Sequence, residues 1–474
     1  MVIMSYNIED LDAVFGKDST GITPDERAKT SRQLFVKSQV QVAFDNEAAK
    51  GRRLTSKEVL AALGWDIVSQ LAHRTATPII CEENEPGKTI RDRRSLLGLT
   101  IENVAKASGI SIESLDNLES AKKLLPIHKL EEIARLLALD ETKLSVQAGA
   151  NGDRNLGVRL RDMIGQSNQD VHSFSPSMVL SLSEAAWIIK KQGGLQGEVA
   201  SYRKRGFTPV DDYQYPAWRS GMKLAAQTRE KLGYKSDEPI RGLKDIVENK
   251  LGIPVIQADL NPRFAGATIA NGTARGIVLN LGGPNQNVWV RRNTLAHELC
   301  HLLYDPGQRL NQLVVDEFDV LDRDPYNTTK GRDVVEIRAN AFASEFLAPQ
   351  AAVKARFTSA SCQRDGIEDI MMTYGISFTA AKWQIANALG TSPENLDVAE
   401  ANIQPSESWM GGENFTADFF PIDSVPIPRR GRFALHLVLA FELGAITSDT
   451  AASSLGCTES EFLGKKEAIK SIFA

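Results

Sequence analysis

Two of the chain's six histidines stand four residues apart, in Leu295-Ala296-His297-Glu298-Leu299-Cys300-His301-Leu302-Leu303. On an α-helix, residues i and i+4 lie about 40° apart and one turn on, so His297 and His301 aim both imidazoles at one point. Glu298 sits about 100° round from His297, where its carboxylate flanks that point without joining it. Two neutral nitrogens, an open position for water and an adjacent base are what a zinc hydrolase needs. The bland alternative is an amphipathic helix with two half-buried histidines. Leu295, Leu299, Leu302 and Leu303 already supply the apolar packing, which leaves the polar triplet for another task.

A third protein ligand is required, and the carboxylates downstream of His301 are the candidates. Asp316, Glu317 and Asp319 belong to an acidic, surface-like stretch. The next helical pattern, Val334 to Leu347, carries Glu336 and Glu345 nine residues apart. Nine residues turn a helix through about 900°, so the two face opposite sides and only one can ligate. Glu336 is followed one turn on by Asn340, an amide placed to orient a ligand, and Ala339, Ala341 and Ala343 let this helix approach the histidine helix closely. Glu336 is therefore the expected third ligand, and Glu345 an exposed or structurally paired carboxylate. Upstream, Arg241 to Leu251 reads as a helix and Ile253 to Ala258 as a strand. Ala265–Ala270 and Gly276–Asn280 read as two further strands around an Asn271-Gly272 turn. A small antiparallel sheet behind the histidine helix is the expected support.

From Arg241 to Pro349 the chain resembles the ImmA/IrrE family of zinc metallopeptidases. The resemblance is carried by the strand ending in Ile277-Val278-Leu279-Asn280 and by the helix Arg292-Asn293-Thr294-Leu295-Ala296-His297-Glu298-Leu299-Cys300-His301. Glu336-x-x-Ala339-Asn340-x-Phe342-Ala343-x-x-x-Leu347-x-Pro349 completes it. The resemblance implies a zincin-type fold and a cytoplasmic protease that cleaves and inactivates an XRE-type repressor, in phage, mobile-element or stress-response regulation. One departure is the interval between His301 and Glu336, where Asp305 to Arg332 forms a longer, Asp- and Arg-rich insertion than is usual. In the expected mechanism, Zn²⁺ is held by His297, His301 and Glu336, and Glu298 takes the proton of a metal-bound water. Asn340 and Tyr304 are candidates to orient a ligand or to bond the oxyanion; as a core aromatic, Tyr304 is equally well explained.

A second pattern lies between Thr89 and Ser145. Leu96-Leu97-Gly98-Leu99-Thr100 turns into a helix capped by Thr100, and Ser108-Gly109-Ile110-Ser111 turns into another capped by Ser111. With Arg94, Ala105, Leu115, Glu119 and Ile133-Ala134…Leu137, the segment resembles the lambda-repressor-like (XRE) helix-turn-helix family. The resemblance implies DNA reading by the helix beginning at Ser111, with Ser111, Asn117, Lys122 and Lys123 as the candidate contacts. Glu113 and Asp116 on the same helix oppose phosphate, so a protein-docking module of the same fold is the alternative.

Chain-wide properties frame these sites. A formal charge of −5 excludes a chain-wide nucleic-acid footprint. Four scattered cysteines without a C-x-x-C pair fit reduced thiols in a cytoplasmic protein. No apolar run approaches 18 residues, so no membrane association is expected. The expected architecture is α+β: a mostly helical, multidomain chain with a zincin-like core and helix-turn-helix domains. The expected parts are an N-terminal helical region (1–85), an XRE-like domain (86–148) and a helical connector (149–235). A metallopeptidase domain (236–395) and a C-terminal loop and helical region (396–474) follow. Within these, residues 22–50 read as helical from the four-residue spacing of Val36, Val40 and Phe44. Leu156–Ile164 and Met178–Lys191 read as helices, and Gln404–Arg430 as loop. The functional expectation is a zinc metalloprotease acting on a repressor or antitoxin-like protein. The rival is a DNA-binding regulator whose metallopeptidase-like domain senses without cutting.

Overall fold

The computed structural model describes residues 6–80, 82–146, 174–196, 206–210, 216–271, 274–306, 314–317, 334–399, 403–413, 415 and 419–473. The chain divides into two units, one built from residues 1–196 with 419–474 and the other from residues 197–418. The expected Leu156–Ile164 helix, the Gly272 turn position and Asp319 lie outside the described residues.

The first unit begins with a four-stranded antiparallel sheet of β1 (Leu34–Lys37), β2 (Gln41–Phe44), β3 (Arg52–Thr55) and β4 (Ala76–Pro78), in the order β3-β1-β2-β4. This corrects the helical expectation for 22–50, where only Pro24–Thr30 is helical. A spacing of four satisfies a strand's period of two as well as a helix's 3.6. Here the β-branched Val36 and Val42 and the aromatic Phe35 and Phe44 favour the pleated surface. A short turn at Ser38–Val40 brings Phe35 opposite Phe44, with ring centroids 5.4 Å apart.

Four short helices follow: α1 (Gly87–Leu96), α2 (Ile101–Ser108), α3 (Ile112–Glu119) and α4 (Ile127–Leu136). Thr100 and Asn103 form a reciprocal capping box at the start of α2, and Gly109 ends α2 in the left-handed region at φ 65°. Ser111 caps α3 by accepting from the Ser114 amide at 3.2 Å. Arg94 on α1 donates to both oxygens of Glu119 on α3, at 2.7 and 2.6 Å, so one two-pronged bond sets the α1–α3 approach. α5 (Pro176–Gln196) packs on α4 with Trp187, Ile188 and Ile189 buried as expected. The C-terminal helices Arg432–Glu442, Ser448–Leu455 and Glu459–Ile472 close this unit. Arg52 on β3 joins three of its parts, bonding Glu131 of α4 at 3.1 Å and the Asp449 carbonyl at 2.8 Å.

The second unit is organised by a sheet of β5 (Val255–Ala258), β6 (Phe264–Asn271), β7 (Ala274–Asn280) and β8 (Val314–Glu317), in the order β5-β7-β6-β8. The α+β expectation holds with one difference of detail, since β5 joins β7 in parallel while the remaining pairs are antiparallel. Within the insertion after His301, residues 314–317 are the edge strand β8, paired with β6. Against the sheet lie α6 (Ala217–Leu232), α7 (Val288–Tyr304) and α8 (Val334–Leu347) as a packed layer, α7 on β6 and β7, α8 on both α7 and α6. α6 meets α8 at Gly221, where a Cβ would stand 2.3 Å from the Arg338 carbonyl oxygen, so a glycine is needed for that approach. α9 (Gln350–Ser359), α10 (Gln363–Tyr374) and α11 (Phe378–Leu389) follow.

The segment expected as loop after Gln404 includes a short helix, Glu407–Gly412, that buries Trp409. Arg292 of α7 lies on the Trp409 ring, 4.6 Å from its centroid, and forms an ion pair with Glu413. Both charged side chains are wholly buried. Arg292 also donates to the carbonyls of Ile240 at 2.7 Å and Gly375 at 3.1 Å. Removing one member of such a pair leaves the other charge uncompensated in a low-dielectric interior. Glu413→Ala should therefore destabilise this unit by about 3–5 kcal/mol, read as a lowered urea midpoint; a midpoint within error of wild type would show the pair to be dispensable.

Candidate metal centre and active site

α7 is buried on nearly every side, so its polar residues face other elements and not water. His297 and His301 project together, with Nε2 atoms 3.0 Å apart. Glu336 on α8 brings Oε2 to 3.2 Å from His297 Nε2 and 3.5 Å from His301 Nε2. Among the described residues these three form the group able to hold a metal ion. Zinc bound at about 2.0–2.2 Å to tetrahedral N and O ligands sets those atoms roughly 3.3 Å apart, so the observed triangle fits such an ion. Electrostatics agree. Burial alone would favour a neutral His301, but the Glu336 and Asp305 carboxylates outweigh it and push the imidazole well above its ordinary value. Burial likewise opposes an ionised Glu336, yet the two imidazoles hold it well below the usual carboxylate range. The carboxylates that favour a proton on His301 would favour a divalent cation in the proton's place.

Glu298 is wholly buried beside the triad and is not one of its three donors. Thr268 on β6 donates its hydroxyl to Glu298 Oε2 at 2.6 Å. Gly266, two residues earlier on the same strand face, makes room for the carboxylate, since a Cβ there would stand 3.0 Å from Glu298 Oε1. His301 Nδ1 donates to Asp305 Oδ2 at 2.9 Å, and Arg338 on α8 donates to the other Asp305 oxygen. Sequence reasoning missed Thr268, Gly266, Asp305 and Arg338. Only Asp305 left a readable signal, as a second i,i+4 partner of His301 on one helix.

Other expected residues are placed as follows. Asn340 is half-buried one turn on from Glu336, and its carbonyl accepts from Ser344 Oγ at 3.1 Å. Tyr304 is placed as the core aromatic that its sequence setting also allowed. Its hydroxyl pairs with Thr228 Oγ1 at 2.7 Å and its ring packs edge-on against Phe207 and Phe342, with burial raising its pKa to about 12. Cys300 is wholly buried, and burial pushes its thiol up to about 12, which removes the reactive thiolate form at neutral pH. On the helix-turn-helix, Ser111 is spent on its cap, and Lys122 and Lys123 are exposed. Asn117 is half-buried, and its carbonyl holds the Lys122 and Lys123 amides at 2.8 and 3.2 Å. Asn117 and Lys123 also line a cleft of about 830 Å³, which faces Ser38 and Gln39 of the β1–β2 turn.

Glu345 is structurally paired, accepting from the Gln350 amide at 3.0 Å and Gln384 Nε2 at 3.2 Å, while burial raises its pKa to about 7. A carboxyl raised above its unfolded value binds protons more tightly when folded, so stability falls as pH climbs from the ordinary carboxyl range towards 7. Glu345→Gln should raise the urea midpoint at pH 8 and leave it unchanged at pH 4; an unchanged midpoint at both would refute the buried charge.

The comparison with known families bears on both units. Residues 249–385 match the peptidase-family model described as the IrrE N-terminal-like domain, and residues 90–144 match the model described as Helix-turn-helix. No curated protein matches the chain. Among the described residues, no helix is long and apolar enough to cross a membrane. The first match runs from β5 into α11 and includes every residue of the His-His-Glu triad, and the second runs from within α1 to beyond α4. The chain thus joins an XRE-type helix-turn-helix domain to a peptidase-family domain of the ImmA/IrrE type.

Proposed function

We propose that this chain is a zinc-dependent metallopeptidase that cleaves a repressor or antitoxin-like regulatory protein in stress-response, phage or mobile-element regulation. The observation that carries the reading is the triangle of His297, His301 and Glu336 donor atoms, 3.0, 3.2 and 3.5 Å apart, with a buried carboxylate next in sequence to one of them. Zn²⁺ bound there would supply the Lewis acidity that makes water nucleophilic near neutral pH and that stabilises the oxyanion. The protein's own groups do the rest. Glu298, oriented by Thr268, accepts the water proton and passes it to the leaving amine. The buried setting of the histidines keeps competing solvent from their ring nitrogens.

Glu298→Gln should keep about one zinc per chain while lowering repressor hydrolysis by about 10²-fold or more, whereas Glu336→Ala should lose the metal. Metal content is read by mass spectrometry of the intact chain, and cleavage by the masses of an XRE-type repressor incubated with it. Undiminished cleavage by Glu298→Gln would overturn the base. Full zinc occupancy with no cleavage by wild type, joined to a zinc-dependent gel shift, would establish the non-proteolytic regulator instead.

For the helix-turn-helix domain we propose DNA contact in which Lys122 and Lys123 grip phosphates while Ser111 and Asn117 face the groove. Glu113 and Asp116 are exposed on the same helix and weaken the attraction, so the lysines carry most of the affinity. Replacing both by alanine should weaken binding to every duplex and reduce the salt slope by about 2. A slope equal to that of wild type would remove these lysines from the interface.

A further inference from the structure

Resting on the zinc reading above, we infer that Asp305 and Arg338 are the positioning pair of the metal centre: one buried carboxylate both sets the His301 tautomer and locks the helix carrying Glu336 to the helix carrying the histidines. Asp305 ends α7 and is wholly buried. Its two oxygens have different tasks. Oδ2 accepts from His301 Nδ1 at 2.9 Å, and Oδ1 accepts from Arg338, a wholly buried side chain two residues beyond Glu336 on α8.

A hydrogen on Nδ1 leaves the Nε2 lone pair of His301 directed at the centre, 3.0 Å from His297 Nε2 and 3.5 Å from Glu336 Oε2. The opposite tautomer would place a hydrogen there and exclude a cation. Without a cation beside it, an Asp carboxylate in this interior would carry a large desolvation cost, and Arg338 supplies that cation. Since Arg338 and Glu336 share α8, a shift of that helix relative to α7 would break the Asp305 bond and move the Glu336 ligand together.

The rival is a buried ion pair that only holds the fold. Asp305→Asn tests the positioning role, and the double variant Asp305→Asn/Arg338→Met guards against failure to fold, since it removes both charges of the buried pair together. Zinc affinity of the full chain is measured by competition with a chromophoric chelator, beside the urea midpoint of the metal-free protein. Wild type should bind zinc, and both variants should bind about 10- to 100-fold more weakly, while the metal-free double variant keeps a midpoint near that of wild type. Cobalt(II) substituted into the double variant should give a weaker, shifted visible spectrum, reporting a changed ligand field at His301. Equal zinc affinity in a normally folded double variant overturns this inference alone. A wild-type chain that takes no zinc overturns the zinc reading and this inference with it.

Discussion

A polar group taken out of water must meet a partner, and α7 takes seven of them out of water together. Arg291, Arg292, Thr294, His297, Glu298, His301 and, at its end, Asp305 are all buried. Between them they draw several neighbouring elements into place. Arg291 and Thr294 bond Asn285 in the turn before the helix, and Arg292 gathers Glu413 with the carbonyls of Ile240, Tyr374 and Gly375. Glu298 takes the Thr268 hydroxyl from the sheet, and Asp305 takes Arg338 from α8. A helix so constrained cannot slide or rotate without orphaning several buried groups, each at about 1–3 kcal/mol or more. The surrounding unit is shaped by satisfying them.

This constraint explains why the His-His-Glu group is held by rigid elements and not by loops. His297 and His301 are one turn apart on a helix clamped on every side, and Glu336 comes from the next helix in the layer. Its approach is permitted by small residues, Ala339 and Ala343 on α8 and Gly221 on α6. Donor atoms preset at ligand spacing need little rearrangement to receive an ion. The neighbouring Glu298 is treated in the same way, with Gly266 making space for its carboxylate and Thr268 fixing its orientation.

The helix-turn-helix belongs to a unit of its own kind. Its internal geometry follows local rules: a capping box at Thr100, a left-handed glycine at 109, a serine cap at 111 and the Arg94–Glu119 bond. What surrounds it is less local. Arg52 from the amino-terminal sheet and Asp449 from the carboxy-terminal helices meet beside Glu131, over 300 residues separating the two ends of that contact. The domain is therefore set in a frame made from both ends of the chain.

The sequence by itself determined the elements whose signals are local. The His297–His301 spacing, the strands expected at 253–258, 265–270 and 276–280 and the capped helices of the helix-turn-helix are written in periodicity, helix angle and cap chemistry, and the structure sets those strands at 255–258, 264–271 and 274–280. Residues 34–44 were ambiguous at that level, because a spacing of four serves a strand and a helix equally, and pairing of Phe35 with Phe44 across a hairpin resolved it. The tertiary structure alone decided which distant groups answer the buried ones: Thr268 for Glu298, Arg338 for Asp305, Glu413 for Arg292, Thr228 for Tyr304. No periodicity marks such partners. They are chosen by the low dielectric of the interior, where a polar group without its complement is costly, and that cost exists only once the elements have packed.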